Sequence, residues 1–294
     1  MLPVKTVLDR LPAGRPGVVM LLGAADTGKS TYAREVAAGA LQAGKRVAYV
    51  DSDVAMSTIA PPACVGLKYL QGEGDFGRPG AADEIRFVGS TSPKHLLLQL
   101  VVATSRLVEV ARSNADLVII DTTGVVSGVV GETLKYHKME LCRPDVVVGL
   151  QRGGELEPLV GMLRRFFPVE IETTLAHPDV MPSDPLARAE GMRVALQESL
   201  TGEVDRWRVR PTVFAPTLPS GLDPSRLDSM LVGVHDGEDR CLGLGFLDYD
   251  GDVLRVETNV GEGMKGLRLG SLRVDRETYR ATPVNLREVM FGLD

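Results

Sequence analysis

The stretch that decides the fold is Val18-Val-Met-Leu-Leu22, followed at once by Gly23-Ala-Ala-Asp-Thr-Gly-Lys-Ser30. The first part is an apolar run that predicts a buried strand, and the second fits the pattern G-x-x-x-x-G-K-[ST]. Residues 31–43 are rich in alanine, with glycine only at position 39, which predicts a helix. A strand, a glycine loop and a helix N-terminus form a cradle for phosphate, because backbone N–H groups point inward and the helix dipole favours an anion.

This cradle predicts a nucleotide-binding protein with a place for Mg²⁺. Lys29 is expected to reach the β- and γ-phosphates, and the Ser30 hydroxyl to occupy one position around Mg²⁺. A glycine turn that merely precedes a helix does not require the lysine, the hydroxyl and both flanking elements together. The predicted nucleotide-binding residues are Gly23, Ala24, Ala25, Asp26, Thr27, Gly28, Lys29, Ser30 and Thr31.

Length and composition predict a globular protein with room for one large α/β domain and a smaller partner. The 294 residues are 44% hydrophobic and 24% charged, which is ordinary for such proteins. We expect a cytoplasmic protein without a membrane partner, because the N-terminus lacks a signal-peptide pattern and no apolar stretch reaches membrane-spanning length. Cys64, Cys142 and Cys241 lie far apart, which argues against a zinc site and a disulfide framework.

The net charge of −6 bears on possible nucleic-acid partners. A protein that grips long duplex through many phosphates is usually basic. We therefore expect any nucleic-acid contact to be local, through a few arginines near one end of the chain, and single-stranded ends to be favoured over duplex. Composition alone leaves open that there is no nucleic-acid partner, and it indicates no particular protein partner.

Strands and helices alternate in the first two thirds of the chain. Alternation of this kind predicts a doubly wound, mostly parallel α/β sheet of the P-loop kinase type, with the ligand at the carboxyl ends of the strands. After the first strand and helix, the predicted strands are residues 45–50, 84–88, 116–120 and 145–150, and the predicted helices are residues 93–113, 131–141, 155–167 and 185–200.

Beyond residue 211 the sequence changes to short strands separated by glycine. Residues 230–234, 242–247, 253–257 and 267–274 are predicted strands, and Asp250-Gly251 is a hairpin signal. This texture predicts a small β-rich C-terminal domain. The predicted organisation is a lead-in over residues 1–16, a P-loop domain over residues 17–210 with a helical lid at about 183–200, and the β-rich domain over residues 211–294.

Carboxylates and hydroxyls follow two of the predicted strands. Asp53 is a candidate base or metal-shell residue, although a carboxylate that caps a turn would look the same. Asp121 follows the most apolar strand, where a carboxylate that holds Mg²⁺ through water is expected. Thr122 or Thr123 is placed to contact the γ-phosphate, and a plain strand-end turn is the alternative.

Arg188 and Arg193 lie on the predicted helix near residue 190. Nucleotide kinases close a basic lid over the phosphates, which excludes water and stabilises charge in the transition state. A spacing of five does not align two residues on one helical face, but both can converge on one anion from a helix tip. Taken alone, two arginines on a helix are more often solvated surface.

Five blocks of sequence, which span nearly the whole chain from about Gly17, resemble one known family. The blocks are Gly23–Ser30 with Asp26, Tyr49-Val-Asp-Ser-Asp-Val54 followed by Pro61-Pro62, Phe87-Val-Gly-Ser-Thr-Ser-Pro93, Asp121-Thr-Thr-Gly-Val-Val-Ser-Gly128, and the C-terminal run of Leu231-Val-Gly-Val, Cys241-Leu-Gly-Leu-Gly245 and Gly266-Leu-Arg-Leu-Gly270. Together they are similar to the polynucleotide 5′-hydroxyl kinases of the RNA cleavage-complex and pre-ribosomal-RNA processing type.

The resemblance implies an ATP- and Mg²⁺-dependent kinase that phosphorylates the 5′-hydroxyl end of RNA, DNA or both. It implies that Asp53 activates the hydroxyl, and that the catalytic set is Lys29, Asp53, Arg188 and Arg193. The implied metal residues are Ser30, Asp53 and Asp121. The implied substrate residues are Asp53, Thr122, Thr123, Gly124 and Val125.

The chain departs from the family pattern at four positions. Ala55 and Met56 stand where glycine and glutamine are usual, Asp121 replaces an asparagine, and Val125 replaces a tryptophan suited to stacking a terminal base. Because the family includes members that bind ATP without kinase activity, an ATP-bound scaffold in an RNA-processing assembly remains an alternative. A small-molecule P-loop kinase is a second one.

Overall fold

A computed structural model describes residues 2–77, 80–177, 180–200 and 202–292 of the chain. Met1 and residues 293–294, which fall in the predicted lead-in and C-terminal domain, lie outside this described part. The strands are β1 (Gly17–Gly23), β2 (Val47–Ser52), β3 (Cys64–Leu70), β4 (Glu84–Phe87), β5 (Leu117–Thr122), β6 (Val146–Gln151), β7 (Glu170–Leu175), β8 (Asp205–Arg208), β9 (Phe214–Ala215), β10 (Met230–His235), β11 (Cys241–Tyr249), β12 (Leu254–Thr258), β13 (Gly266–Val274) and β14 (Ala281–Pro283). The helices are α1 (Val4–Asp9), α2 (Lys29–Gln42), α3 (Leu97–Asn114), α4 (Gly128–Cys142), α5 (Glu157–Phe166), α6 (Pro185–Ser199) and α7 (Leu286–Phe291).

The centre of the molecule is a parallel sheet in the order β2-β5-β1-β6-β7. Strands β3 and β4 extend it on the β2 side, and both pair antiparallel to their neighbours. Strand β1 lies in the middle, with Val19 opposite Ile119 of β5 on one side and Val146 of β6 on the other. The phosphate loop that follows β1 therefore leaves the sheet at its centre, where the ends of the neighbouring strands surround it.

Both faces of the parallel sheet are covered, as the predicted doubly wound fold requires. Residues of β1 alternate between two cores: Met20 packs with α3, α4 and α5, whereas Val19 and Leu21 pack with α1 and α2. Every residue of β1 is buried, because a parallel strand between two helical layers has no solvent face. The apolar run that precedes the phosphate loop is thus the central strand of the fold.

The C-terminal strands form an antiparallel extension of the same sheet. Strands β13, β10 and β11 pair in that order, and β11 turns into β12 through the predicted hairpin at Asp250-Gly251. The extension joins the central sheet at its antiparallel strand β4, where Cys241 of β11 pairs with Ile85. Strand β8 precedes the boundary predicted at residue 210 and yet pairs with β12, so the β-rich part recruits residues from before that boundary.

Helix α6, which contains the predicted lid, is anchored on the C-terminal extension. Leu196 and Leu200 are buried in a core with Phe87, Leu231 and Leu272. The first two turns of the helix are mostly exposed. The extension therefore supports one end of α6 and leaves the other end projecting over the phosphate loop.

Sequence patterns failed to predict five of the described strands, which are β3, β7, β8, β9 and β14. Strand β7 at the sheet margin has one buried residue, Ile171, among glutamates and threonines, and the four residues of β8 are all exposed. Such strands depend on pairing with a neighbour, which a periodic apolar pattern does not report.

In the described part of the chain, no helix combines the length and the apolar character needed to cross a membrane.

Candidate active site

The phosphate loop between β1 and α2 needs glycine at two positions. Gly28 has a φ of 87°, in the left-handed region that favours glycine. A Cβ atom on Gly23 would lie 2.4 Å from the Thr27 Oγ1 and 2.7 Å from the Leu150 carbonyl oxygen. The loop is therefore packed too closely for side chains at these two points. Gly23, Ala24 and Thr27 face the protein interior, whereas the other predicted nucleotide-binding residues line an open cleft.

The Lys29 side chain folds back over the loop. Its Nζ donates a hydrogen bond of 2.8 Å to the Ala24 carbonyl oxygen, which also accepts from the Thr27 hydroxyl at 3.0 Å. The lysine side chain is largely buried and lines the cleft. Its ammonium group thus lies at the surface that a phosphate would occupy.

Ser30 in the first turn of α2 and Asp121 near the end of β5 are in contact, as the metal prediction requires. The Ser30 hydroxyl donates to Asp121 Oδ2 at 2.6 Å, and the Tyr49 hydroxyl donates to the same oxygen at 3.1 Å. Asp121 Oδ1 is buried and has no hydrogen-bond partner in the described part of the chain. Burial raises the pKa of Asp121, while nearby Lys29 lowers it. An unpartnered carboxylate oxygen beside a hydroxyl fits a hard cation such as Mg²⁺.

Asp53 lies in the same cleft on the loop after β2. Its Oδ1 accepts backbone hydrogen bonds from Ala55 at 3.1 Å and Met56 at 3.2 Å, which fix the carboxylate. Behind it, the buried Asp51 accepts from the Asp53 and Thr58 backbone and so shapes the loop. Burial, with the charge of Asp121, raises the pKa of Asp51 to about 7.

The start of the lid is fastened to the phosphate loop through Asp26. The Ser183 hydroxyl and backbone N–H donate to the Asp26 carboxylate at 2.9 and 3.1 Å. Arg188 Nη1 lies 3.8 Å from Asp26 Oδ2, and the Arg188 side chain lines the cleft. The phosphate loop thus holds the lid segment so that Arg188 faces Lys29 across the cleft.

Arg193 does not reach the cleft, contrary to the prediction of a pair of lid arginines. Its guanidinium is paired with Glu190 at 2.8 Å and with Gln197 at 3.1 Å along α6. A spacing of five turns Arg193 about 140° around the helix from Arg188. Met192, at a spacing of four, lies on the Arg188 side and lines the cleft instead.

Only some of the substrate-binding residues that were predicted at the end of β5 and in the loop after it line the cleft. Thr123, Gly124 and Val125 line it. Thr122 does not, because it is fully buried and its hydroxyl donates to the Leu21 carbonyl oxygen at 2.7 Å. A Cβ atom on Gly124 would lie 2.5 Å from the Ala25 backbone nitrogen, so this loop rests directly against the phosphate loop.

The cleft encloses about 620 Å³ and includes residues without a predicted role. Thr91 and Pro93 come from the block that ends Ser-Thr-Ser-Pro, for which the sequence suggested similarity but no function. Met56 stands where the family pattern has glutamine. Pro93 and Met56 make part of the cleft lining apolar.

Two lysines on α4 lie beside the site, although no sequence pattern predicted a role for them. Lys135 and Lys138 are both fully buried, and burial lowers the pKa of Lys138 to about 8 and that of Lys135 well below its usual range. Lys135 donates to the loop after β5, and Lys138 donates to the Ser52 hydroxyl at 2.6 Å. The available signal was their spacing of three, which places both on the apolar face of a predicted helix.

Lys29, the Ser30–Asp121 pair, Asp53 and Arg188 thus surround one cleft. Two cationic groups can balance phosphate charge, and a fixed carboxylate can accept a proton. In the described part of the chain, no group of three or more His, Cys, Asp or Glu residues is arranged to hold a metal ion. A cation at Ser30 and Asp121 would therefore take its remaining ligands from phosphate oxygens and water, as Mg²⁺ commonly does.

Comparisons with known proteins relate this chain to one family of P-loop proteins. Residues 23–197, more than half of the chain, match the model of the mRNA cleavage and polyadenylation factor CLP1 P-loop family. A protein of Thermococcus kodakarensis named polyribonucleotide 5′-hydroxyl-kinase is 29% identical, over 90% of this chain and 90% of its own. A protein of the same name from Methanocaldococcus jannaschii is 27% identical, over 89% and 88% of the two chains.

A solved structure supports the fold. A chain of the wild-type Clp1p–Pcf11p complex superposes with a TM-score of 0.70, covering 92% of this chain and 78% of that one. The identity is 14%, so this likeness concerns the fold alone. With the family match over more than half of its length, the chain belongs to the CLP1 P-loop family.

Proposed function

We propose that this protein is an ATP-dependent polynucleotide 5′-hydroxyl kinase, which transfers the γ-phosphate of ATP to the 5′-hydroxyl end of RNA or DNA. The observation that carries the proposal is the convergence of Lys29, Arg188 and Asp53 on one cleft beside the Ser30–Asp121 pair. The names of the archaeal relatives, which align over most of both chains, support the same reaction class.

The residues divide the work of phosphoryl transfer between them. The 5′-hydroxyl oxygen attacks the γ-phosphorus, the bond to the bridging oxygen breaks, and ADP leaves with the electron pair. Asp53 orients the hydroxyl and accepts its proton. Lys29 on the phosphate loop and Arg188 on the lid neutralise charge on the transferring group from opposite sides.

Ser30 and Asp121 would hold Mg²⁺, directly or through water, and the bound ion would neutralise charge on the β- and γ-phosphates. The buried and unpartnered Asp121 Oδ1 supports this assignment. The contact between Tyr49 and Asp121 Oδ2 keeps the carboxylate turned toward Ser30.

We propose single-stranded ends as the acceptor. A cleft of about 620 Å³ is within the range of small-molecule sites and suits a strand end, together with nucleotide phosphates, better than a long duplex. The net charge of −6 also disfavours a long duplex interface. Met56, Val125 and Met192 supply an apolar surface against which a terminal base would rest.

The test is transfer of labelled γ-phosphate from ATP to matched 5′-hydroxyl RNA and DNA oligonucleotides. We expect label at the 5′ end, lost in Lys29→Ala and Asp53→Asn but retained in the controls Lys5→Ala and Asp252→Asn, which change exposed residues that do not line the cleft. A folded protein that binds ATP but labels no oligonucleotide would contradict the proposal and favour the ATP-bound scaffold. Preferential labelling of a mononucleotide would favour a small-molecule kinase.

A further inference from the structure

Helix α4 carries a buried amine directly behind the acceptor side of the cleft. Lys135 has no exposed surface, and its Nζ donates to Thr122 Oγ1 at 2.9 Å, to the Thr123 carbonyl oxygen at 2.7 Å and to Thr123 Oγ1 at 3.3 Å. All three acceptors belong to Thr122 and Thr123, so every hydrogen bond that the Lys135 amine makes in the described part of the chain ends on these two consecutive residues.

The loop that Lys135 holds is confined from the opposite side as well. Gly124 lies so close to the phosphate loop that an added Cβ would be 2.5 Å from the Ala25 backbone nitrogen. The segment is therefore pinned between the phosphate loop in front and the lysine behind. Because neither side yields easily, the length of the Lys135 side chain sets how far Thr123 reaches into the cleft.

The direction of these hydrogen bonds also determines what the Thr123 hydroxyl can do. The Thr122 hydroxyl donates its proton to the Leu21 carbonyl oxygen, and its oxygen accepts a hydrogen bond from Lys135. Thr123 Oγ1 likewise accepts from Lys135, and within the described ranges its proton is donated to no protein acceptor. Thr123 lines the cleft together with Lys29 and Ser30, so its hydroxyl can donate this proton to a group bound in the cleft, such as a phosphate oxygen.

We propose that Lys135 is a positioning residue for phosphoryl transfer, which orients the Thr123 hydroxyl as a hydrogen-bond donor to the transferring phosphoryl group. The inference rests on the proposed kinase function and adds a residue that acts through another. An apolar side chain would fill the same space without the cost of burying an amine. The three bonds to the Thr122–Thr123 segment account for a lysine at this position.

A double-mutant cycle between Lys135 and Thr123 tests the proposal. We expect Lys135→Met and Thr123→Val each to lower kcat for γ-phosphate transfer about 10- to 100-fold, the range for losing one hydrogen bond to a charged group, with KM for ATP changed less than about threefold. The double variant should be no more than about threefold slower than the slower single variant, because both changes remove the same contact.

Lys138→Met provides the matched control, since Lys138 is equally buried but donates to Ser52 and not to Thr123. In the double variant Lys138→Met, Thr123→Val, the fold-decrease in kcat should equal the product of the two single fold-decreases. If the double variant of Lys135 and Thr123 also showed this product, the proposal would be overturned, because Lys135 would then act independently of the Thr123 hydroxyl.

Thermal melts separate positioning from folding. If Lys135→Met does not fold, Lys135→Gln, which keeps a donor, replaces it in the cycle, and failure of both to fold would show a structural role and overturn the proposal. A wild-type protein that hydrolyses ATP but labels no oligonucleotide would contradict the proposed function alone, and the same cycle would then be measured on hydrolysis. A wild-type protein that does neither would overturn both.

Discussion

Substitution of Gly124 by alanine should separate the loop after β5 from the phosphate loop. The new Cβ would lie 2.5 Å from the Ala25 nitrogen and 2.8 Å from its Cα, where ordinary contacts begin at 3.4 Å. Both atoms belong to backbone, which cannot rotate away as the end of a side chain can. One of the two loops must therefore move by roughly 1 Å.

The displacement has a different cost for stability and for catalysis. Overpacking of this kind typically destabilises a protein by about 1–3 kcal/mol. A shift of about 1 Å between groups that act on one reacting centre lowers the rate about 100-fold. We therefore expect Gly124→Ala to lower kcat about 100-fold, while the protein remains folded because total stabilities are commonly about 5–15 kcal/mol.

The assay combines steady-state transfer of γ-phosphate to a 5′-hydroxyl oligonucleotide with urea denaturation. Gly161→Ala is the matched control, because Gly161 lies in α5 and a methyl group added there would meet no atom within 4 Å. Alanine there should raise helix stability by up to about 1 kcal/mol and leave kcat unchanged. A kcat for Gly124→Ala within about twofold of the wild type would refute the inference that the two loops are in rigid contact.

Three further outcomes are expected. Arg188→Ala should lower kcat about 100-fold or more, whereas Arg193→Ala should change it less than about threefold, since Arg193 is paired along α6 and does not line the cleft; equal losses would contradict this. Val125→Trp should lower KM for the oligonucleotide about tenfold by stacking on the terminal base, and an unchanged KM would place the base elsewhere. Burial and the charge of Asp121 raise the pKa of Asp51 from 3.8 to about 7, so the folded protein binds this proton more tightly than the unfolded chain. In metal-free buffer the free energy of unfolding, measured by urea denaturation, should therefore fall between about pH 4 and pH 7. The fall should be smaller in Asp51→Asn, and the same pH dependence in the wild type and the variant would count against this explanation.

Much of the candidate active site could be predicted because it depends on residues that are close together in the sequence. The spacing of glycine, lysine and serine from Gly23 to Ser30 predicts a phosphate loop between β1 and α2. Asp121 ends the most apolar strand, and in a parallel sheet the carboxyl ends of neighbouring strands share one edge. These two rules were sufficient to predict that Ser30 and Asp121 lie together.

The sequence by itself determined the phosphate loop, the doubly wound sheet and the presence of carboxylates at its edge, because these depend on apolar periodicity and on short-range spacing. Only the tertiary structure decided that Arg188 faces the cleft while Arg193 faces away, since the rotation of α6 is set by Leu196 and Leu200 in a distant core. The same holds for Lys138, whose hydrogen-bond acceptor is the Ser52 hydroxyl, 86 residues away in the chain. A buried amine of this kind is explained by a partner from a distant part of the chain, which no local pattern encodes.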